Sequence, residues 1–345
     1  MTGATAPGYL GPAMTDLHLV DLRGELAESR HRIALAVVDA NGRRVAGERT
    51  GEPIFWRSCA KPFQLWPLVE RGGVERFGLT PPMLALACAS HNAESVHRDL
   101  VAAWLTAIGL EESALSCGGH LSLAPKVAEA MIRDRVEPGP LWSNCSGKHS
   151  AMLALAVLEG WPTDGYQAVG HPVQDAVAAA IGRWADLDSR SLRWGVDGCT
   201  AAAVAAPLDR LALAWARLGT SDDPALTSIR EAMLAHPSVV AGTGRLDSVL
   251  MEAWPGRILV KVGAEGVYAA ALPELGLGVA LKMEDGDIRA AAIALVAVLE
   301  RLVARMAPAG SWPLDAVAPW HEPLIRNTRG AVTGQTVLRG EIDFA

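Results

Sequence analysis

Apolar and polar positions change period twice along the chain. In "RHRIALAVVDANGRRVAGER", residues 30–49, an apolar run reaches Val38, "DANG" marks a turn at Asn41-Gly42, and a second extended run follows. This predicts a β-hairpin, which cannot stand alone and needs partner strands. The partners are predicted in "RILVKVGAEGVYAAALPELGLGVALKMEDGD", residues 257–287, as three short strands at 258–262, 266–272 and 277–283 separated by glycine-containing turns. A long helix follows in "DIRAAAIALVAVLERLVARM", with Asp287 as its N-cap.

Between these ends the period is helical. "AESVHRDLVAAWLTAIG", "SAMLALAVLEG", "VQDAVAAAIGRWA" and "AAAVAAPLDRLALAWARLG" repeat Ala, Leu and Val at three and four, and several end at glycine. The predicted fold class is α/β (α+β), a five-stranded antiparallel sheet built from both chain ends with a helical domain inserted. The expected boundaries are a flexible leader at 1–14, a discontinuous sheet domain at 15–60 plus 255–345, and a helical domain at 61–254, with the active site between the last two.

Composition narrows the function classes. Of 345 residues, 50% are hydrophobic and 20% charged, enough for a large core. The net charge of −7 and the absence of any dense Lys/Arg run argue against nucleic acid as a partner. The longest apolar run, "AAAIALVAVL" at 290–299, is too short to span a membrane and is closed by Glu300 and Arg301. "MTGATAPGYLGPAMTDLHLVDL" at the N-terminus lacks the basic-then-apolar order of a secretory signal. Five cysteines without such a signal fit a reducing compartment, so a cytoplasmic protein is expected.

The chemistry starts with "RSCAKPFQ", residues 57–64, where Ser58 stands three places before Lys61 at a helix start marked by Pro62. A serine hydroxyl attacks only when a base takes its proton, and a lysine can be that base if its surroundings keep it neutral. Ser-x-x-Lys alone is a common chance match. Two more matches follow in order: Ser90-His91-Asn92, between two helical stretches, and Lys261-Val262-Gly263, on the first late strand. Ser-x-x-Lys, Ser-x-Asn and Lys-x-Gly is the motif order of penicillin-recognising serine hydrolases, although His91 stands where those enzymes carry Asp or a small residue.

"WSNCSGKHSAML" at 142–153 and "WGVDGCTAAA" at 194–203 are polar, contain glycine, and each is expected to precede an Ala-rich helix. "GKH" is not a phosphate-binding loop, because His149 follows Lys148 and no glycine lies five before Gly147. On residue types alone, buried structural cysteines are favoured over a zinc site here.

Taken together, "RSCAKPFQ", "ACASHNAESVH", "CGGH", "NCSGKHSAML", "GHPVQ", "GVDGC" and "KVGAEGVYAA" resemble the asparaginase II family, the Rhizobium etli-type (class 3) L-asparaginases, from about residue 18 to the end. That family is similar in fold to serine β-lactamases and glutaminases. The resemblance implies hydrolysis of L-asparagine to L-aspartate and ammonia by a homodimer. It implies catalytic roles for Ser58, Lys61, Ser90 and Lys261, with Lys282 competing for the last place. It implies zinc held by Cys145, Lys148 and Cys199, in place of inert cysteines, and aiding substrate placement without generating the nucleophile. Arg57, Asn92, His149 and Asp197 are the expected substrate-binding residues, and Cys59 is expected to face away and pack. Two other readings use the same residues: a β-lactamase-, penicillin-binding-protein- or glutaminase-like serine hydrolase, and a zinc-dependent amino-acid-binding protein without turnover. Ammonia release from asparagine against nitrocefin hydrolysis separates the first; binding without ammonia release marks the second.

Overall fold

The computed structural model describes residues 17–306 and 312–345, so the expected leader at 1–14 lies outside the described residues. The strands are β1 His18–Arg23, β2 Leu26–Asp39, β3 Arg44–Ala46, β4 Pro53–Phe55, β5 Arg193–Val196, β6 Ala202–Pro207, β7 Leu259–Gly263, β8 Val267–Leu272, β9 Leu277–Met283, β10 Leu324–Arg326 and β11 Val332–Arg339. The main sheet runs β10-β11-β1-β2-β9-β8-β7, with β3 paired to β2, and every pairing is antiparallel.

The expected sheet from both chain ends is present, but it has eight strands where five were predicted. The additional strands are β1, β10 and β11. They carry polar side chains such as Asp21, Arg23 and Thr336, which break the apolar pattern that marks a strand in sequence. The hairpin turn forms as expected, with Asp39 accepting from the amides of Asn41 and Arg43, yet β3 on its far side is only three residues long.

The strand period of two sorts side chains into two cores. Ala36 and Val38 on β2, with Leu259, Val267, Ala269, Ala271 and Ala280, join one core with the helix Leu208–Thr220. Ile33, Leu35 and Val37, with Val260, Val262, Tyr268, Ala270, Val279 and Leu281, join the other with the helix Ile288–Met306. Asp287 caps that second helix by accepting from the amide of Ala290 at 2.6 Å.

Two expectations for the inserted region need correction. The segment 61–254 is not purely helical, because β5 and β6 form a second small sheet with β4. The stretch 194–203 therefore turns a hairpin and does not open a helix, and Ala202–Pro207 is strand. Alanine's helix propensity is overridden by tertiary context, since β6 is buried from Ala202 to Ala206 and paired to β4 and β5 on its two sides. The helix Leu208–Thr220 also packs on the main sheet, so the boundary between sheet and helices is blurred. Among the described residues, no helix is long and apolar enough to cross a membrane.

Candidate active site

Five pieces of chain converge beside the open end of β7. The first is a 3-10 turn, Arg57–Ala60, which feeds the helix Lys61–Glu70 with Pro62 in its first turn. Arg57 takes the left-handed conformation (φ 49°), unusual for a residue with a side chain. The second is the irregular segment between the helices Pro81–Ala87 and Ser95–Ala107, which carries Ser90 and Asn92. The third is the helix Ser146–Glu159, for which Cys145 is the N-cap residue. The β5–β6 turn delivers Asp197 and Cys199, and β7 delivers Lys261.

Gly263 explains how β7 comes so close to the serine turn. A Cβ at this position would meet Val267 Cβ at 3.0 Å, Cys59 Sγ at 3.2 Å and the Trp56 carbonyl oxygen at 3.3 Å. The Lys-x-Gly spacing is therefore a packing requirement here as well as a sequence match.

Ser90 Oγ sits between two buried lysines, 2.8 Å from Lys261 Nζ and 3.3 Å from Lys61 Nζ. Lys61 also donates to the Ala89 carbonyl, and Lys261 to the carbonyl of Val262 at 2.7 Å. Burial lowers Lys261 to about 8, partly countered by Asp247 and reinforced by Lys61. Lys282 does not reach this cluster; it bonds the Met283 carbonyl and lines a neighbouring cavity with Phe55 and Trp194. Between the two candidates, Lys261 is the lysine next to Ser90.

Ser58 lies elsewhere in the same constellation. It lines a cavity of about 280 Å³ with Arg57, His120, Asn144, Cys145, Asp197, Cys199 and Ala264. Ser58 is half-buried, whereas Ser90 is buried and does not line the cavity. Cys59 faces away as expected: it is fully buried, its Sγ donates to the Lys261 carbonyl, and burial raises its thiol to about 12.

Arg57 and Asp197 pair with each other on the cavity wall, through Nη2–Oδ1 at 2.8 Å and Nε–Oδ1 at 3.1 Å. Burial would raise the Asp197 carboxyl, but Lys148 and Arg57 hold it below its ordinary value. Asn92 and His149 are brought near but not to the cavity wall. Asn92 is fully buried, accepts from Arg245 at 3.0 Å and donates to Glu94 at 3.2 Å. His149 is also fully buried, with Nδ1 2.6 Å from the Tyr166 hydroxyl.

Cys145, Lys148 and Cys199 come together beside the cavity, which the two cysteines line. Lys148 Nζ lies 3.0 Å from Cys199 Sγ, and all three residues are buried. Hydrogen bonding between the sulfurs is the leading effect on both thiols, raising Cys145 and lowering Cys199. Among the described residues, no group of three or more His, Cys, Asp and Glu side chains is arranged to hold a metal. The predicted set differs in kind, being two sulfurs and one amine, and those donors do converge.

Sequence reading missed several members of this neighbourhood. His120, left without a role by its "CGGH" context, lines the cavity, accepting from the Asn144 amide at 2.9 Å and bonding the Leu121 carbonyl at 2.7 Å. Arg245 and Asp247, which support Asn92 and β7, lie in no recognisable motif; only their hydrogen bonds beside the site reveal them.

A family profile described as L-asparaginase II matches residues 20–338, and the chain belongs to that family. It is thus an asparaginase-type amidohydrolase acting on a small molecule. No curated protein sequence matches the chain at a significant level. Among solved structures, one titled "putative beta-lactamase from Bacteroides dorei DSM 17855" is similar over 84% of this chain and 94% of its own, at 12% identity and TM-score 0.39. Mglu in its native form in 4.3 M NaCl is similar over 79% of this chain and 60% of its own, at 17% identity and TM-score 0.36. SurE with D-Leu is similar over 86% of this chain and 71% of its own, at 17% identity and TM-score 0.31.

Proposed function

We propose that the protein hydrolyses L-asparagine to L-aspartate and ammonia by double displacement, with Ser58 as nucleophile. The observation that carries this reading is the division of labour between the serines: Ser58 faces the cavity, while Ser90 is buried between Lys61 and Lys261. A cavity of about 280 Å³ suits a single amino acid better than a peptide.

Ser58 Oγ forms a bond to the side-chain amide carbon as Lys61, three residues on, takes its proton. The carbonyl electrons move onto oxygen, and the amides of Ser58 and Ala264, both cavity-lining residues, donate to that oxyanion. The C–N bond breaks as Ser90 protonates the leaving nitrogen and Lys261 restores the Ser90 proton. Water then attacks the β-aspartyl carbon while its proton passes through Ser90 to Lys261, and the ester C–O bond breaks as Lys61 returns the proton to Ser58. Arg57 is the partner for the substrate carboxylate and Asp197 for its ammonium, with Asn92 and His149 holding the walls from behind.

The two sulfurs and the amine beside the cavity are a donor set that fits zinc, and Cys145, Lys148 and Cys199 would hold it. When bound, zinc supplies Lewis acidity that helps place the substrate's polar groups. A homodimer, carried over from the family resemblance, and a cytoplasmic location, carried over from the cysteine content and N-terminal pattern, complete the proposal.

Ammonia release by Ser58→Ala tests the nucleophile. Turnover should fall by about a thousandfold or more. Near wild-type turnover would instead hand the attack to Ser90 or to water and end the Ser58 mechanism.

A further inference from the structure

Asp247 lies in the first turn of the helix Leu246–Ala253 and has no exposed surface. Both of its carboxylate oxygens are committed to the strands around the second lysine. Oδ1 accepts from the amide of Val262 at 2.6 Å, and Oδ2 accepts from the Tyr268 hydroxyl at 3.0 Å. Val262 directly follows Lys261 on β7, and Tyr268 faces Val262 across the β7–β8 ladder. A carboxylate this deeply buried is costly unless hydrogen bonds and opposite charge compensate it.

The charge comes from the lysine cluster. The groups around Lys261 are Cys59 from the serine turn, Lys61 from the following helix, and Cys88, Ser90 and His91 from the irregular segment. Arg245 and Asp247 come from the helix entry, and Tyr268 from β8. Burial raises Cys59 and Cys88 to about 12, raises Tyr268 further, and lowers His91 well below its ordinary value. Those four groups are neutral near pH 7. What remains charged around Lys261 is Asp247, which raises it, and Lys61 and Arg245, which lower it; Glu94 lies further out, accepting from Asn92 at 3.2 Å.

We propose that Asp247 is a positioning residue for the Ser90–Lys261 relay, its carboxylate pinning the end of β7 and supplying negative charge beside Lys261. This role rests on the Ser–Lys reading above. Arg245 extends the arrangement by donating to Asn92, two residues from Ser90, so the helix entry braces both halves of the relay. Asp247 touches neither Ser58 nor the cavity, and acts only through Lys261.

Two substitutions separate the charge from the hydrogen bonds. Asp247→Asn keeps an oxygen for the Val262 amide but removes the charge. The high-pH limb of kcat/KM, where Lys261 loses the proton it gives to Ser90, should then move down by about one pH unit, because Lys261 gives up its proton more readily. Tyr268→Phe keeps the charge and removes the hydroxyl that partly offsets it, so the limb should move up. An unmoved limb in either variant, with only the height of the profile reduced, would make Asp247 a structural acceptor and overturn the proposal. If Asp247→Asn does not fold, the direction seen with Tyr268→Phe decides alone. Ser58→Ala in the same assay keeps the two ideas apart. A normal rate there removes the Ser–Lys reading, whereas a dead Ser58→Ala with unmoved limbs removes only the role of Asp247.

Discussion

Ser90 Oγ joins Lys61 and Lys261 into one buried cluster, at 3.3 Å and 2.8 Å from the two ammonium nitrogens. Burial and the nearby Lys61 both lower Lys261, so the proton that faces Ser90 is readily given up. The cluster is therefore built so that one proton is easily lost, as a relay between a serine and a leaving group requires.

The pH dependence should show it. Burial brings Lys261 to about 8, so kcat/KM should fall as pH rises through that region and Lys261 loses the proton it passes to Ser90. Lys261→Met should lose the limb and about a hundredfold to ten-thousandfold in turnover. Stability has its own sign. The folded-state value lies below the roughly 10.4 of an unfolded lysine, so between the two the unfolded chain binds more protons. This lysine's contribution to stability is thus smallest below pH 8 and grows as pH rises toward 10. Melting temperature against pH, compared between wild type and Lys261→Met, should show that rise only in the wild type.

The Arg57–Asp197 pair makes a separate prediction about binding. Two guanidinium nitrogens share one carboxylate oxygen, a fork that lysine cannot copy. Arg57→Lys and Asp197→Asn should each raise KM for asparagine by about tenfold to a hundredfold, the worth of a hydrogen bond to a charged group. Their effect on kcat should be smaller. Steady-state kinetics showing kcat loss with KM unchanged would move both residues from binding to the chemical step.

Legibility in the sequence followed local pattern. The strand predicted at 277–283 coincides with β9, Leu277–Met283, because its alternating apolar run is bounded by Gly276 and the Asp285-Gly286 turn. The Ser58–Lys61 turn was visible for a similar reason, since Pro62 marks the helix start within four residues of the serine. The strand β6 was not, because "AAVAAP" carries alanine's helix preference and its strand form depends on pairing with β4 and β5. Asp247 was invisible for a different reason. Its role comes from meeting Val262 and Tyr268, partners 15 and 21 residues away that no local pattern predicts.

The metal proposal is decided by analysis of the purified protein. Zinc should accompany the wild type and fall to background in Cys145→Ala and Cys199→Ala, each of which removes one sulfur from the cavity lining. Chelation should raise KM more than it lowers kcat, because the sulfurs lie on the substrate wall and the serine–lysine cluster lies behind it. Metal-free wild type with full affinity for asparagine would leave the three residues a purely structural cluster.

Gly263 tests whether the approach of β7 to the serine turn matters for rate. An alanine methyl there meets Val267 Cβ at 3.0 Å, Cys59 Sγ at 3.2 Å and the Trp56 carbonyl oxygen at 3.3 Å. Overpacking of this kind costs about 1–3 kcal/mol, a cost the fold can survive. The displacement falls between Ser58 on one side and Lys261 and Ala264 on the other, so turnover should fall further than stability. Gly51→Ala is the control, since nothing lies within 4 Å of a Cβ at that position. Thermal melting and ammonia release on both variants give the comparison. Gly263→Ala with its melting temperature lowered but its turnover intact would show that the serine turn and β7 need not be held this close.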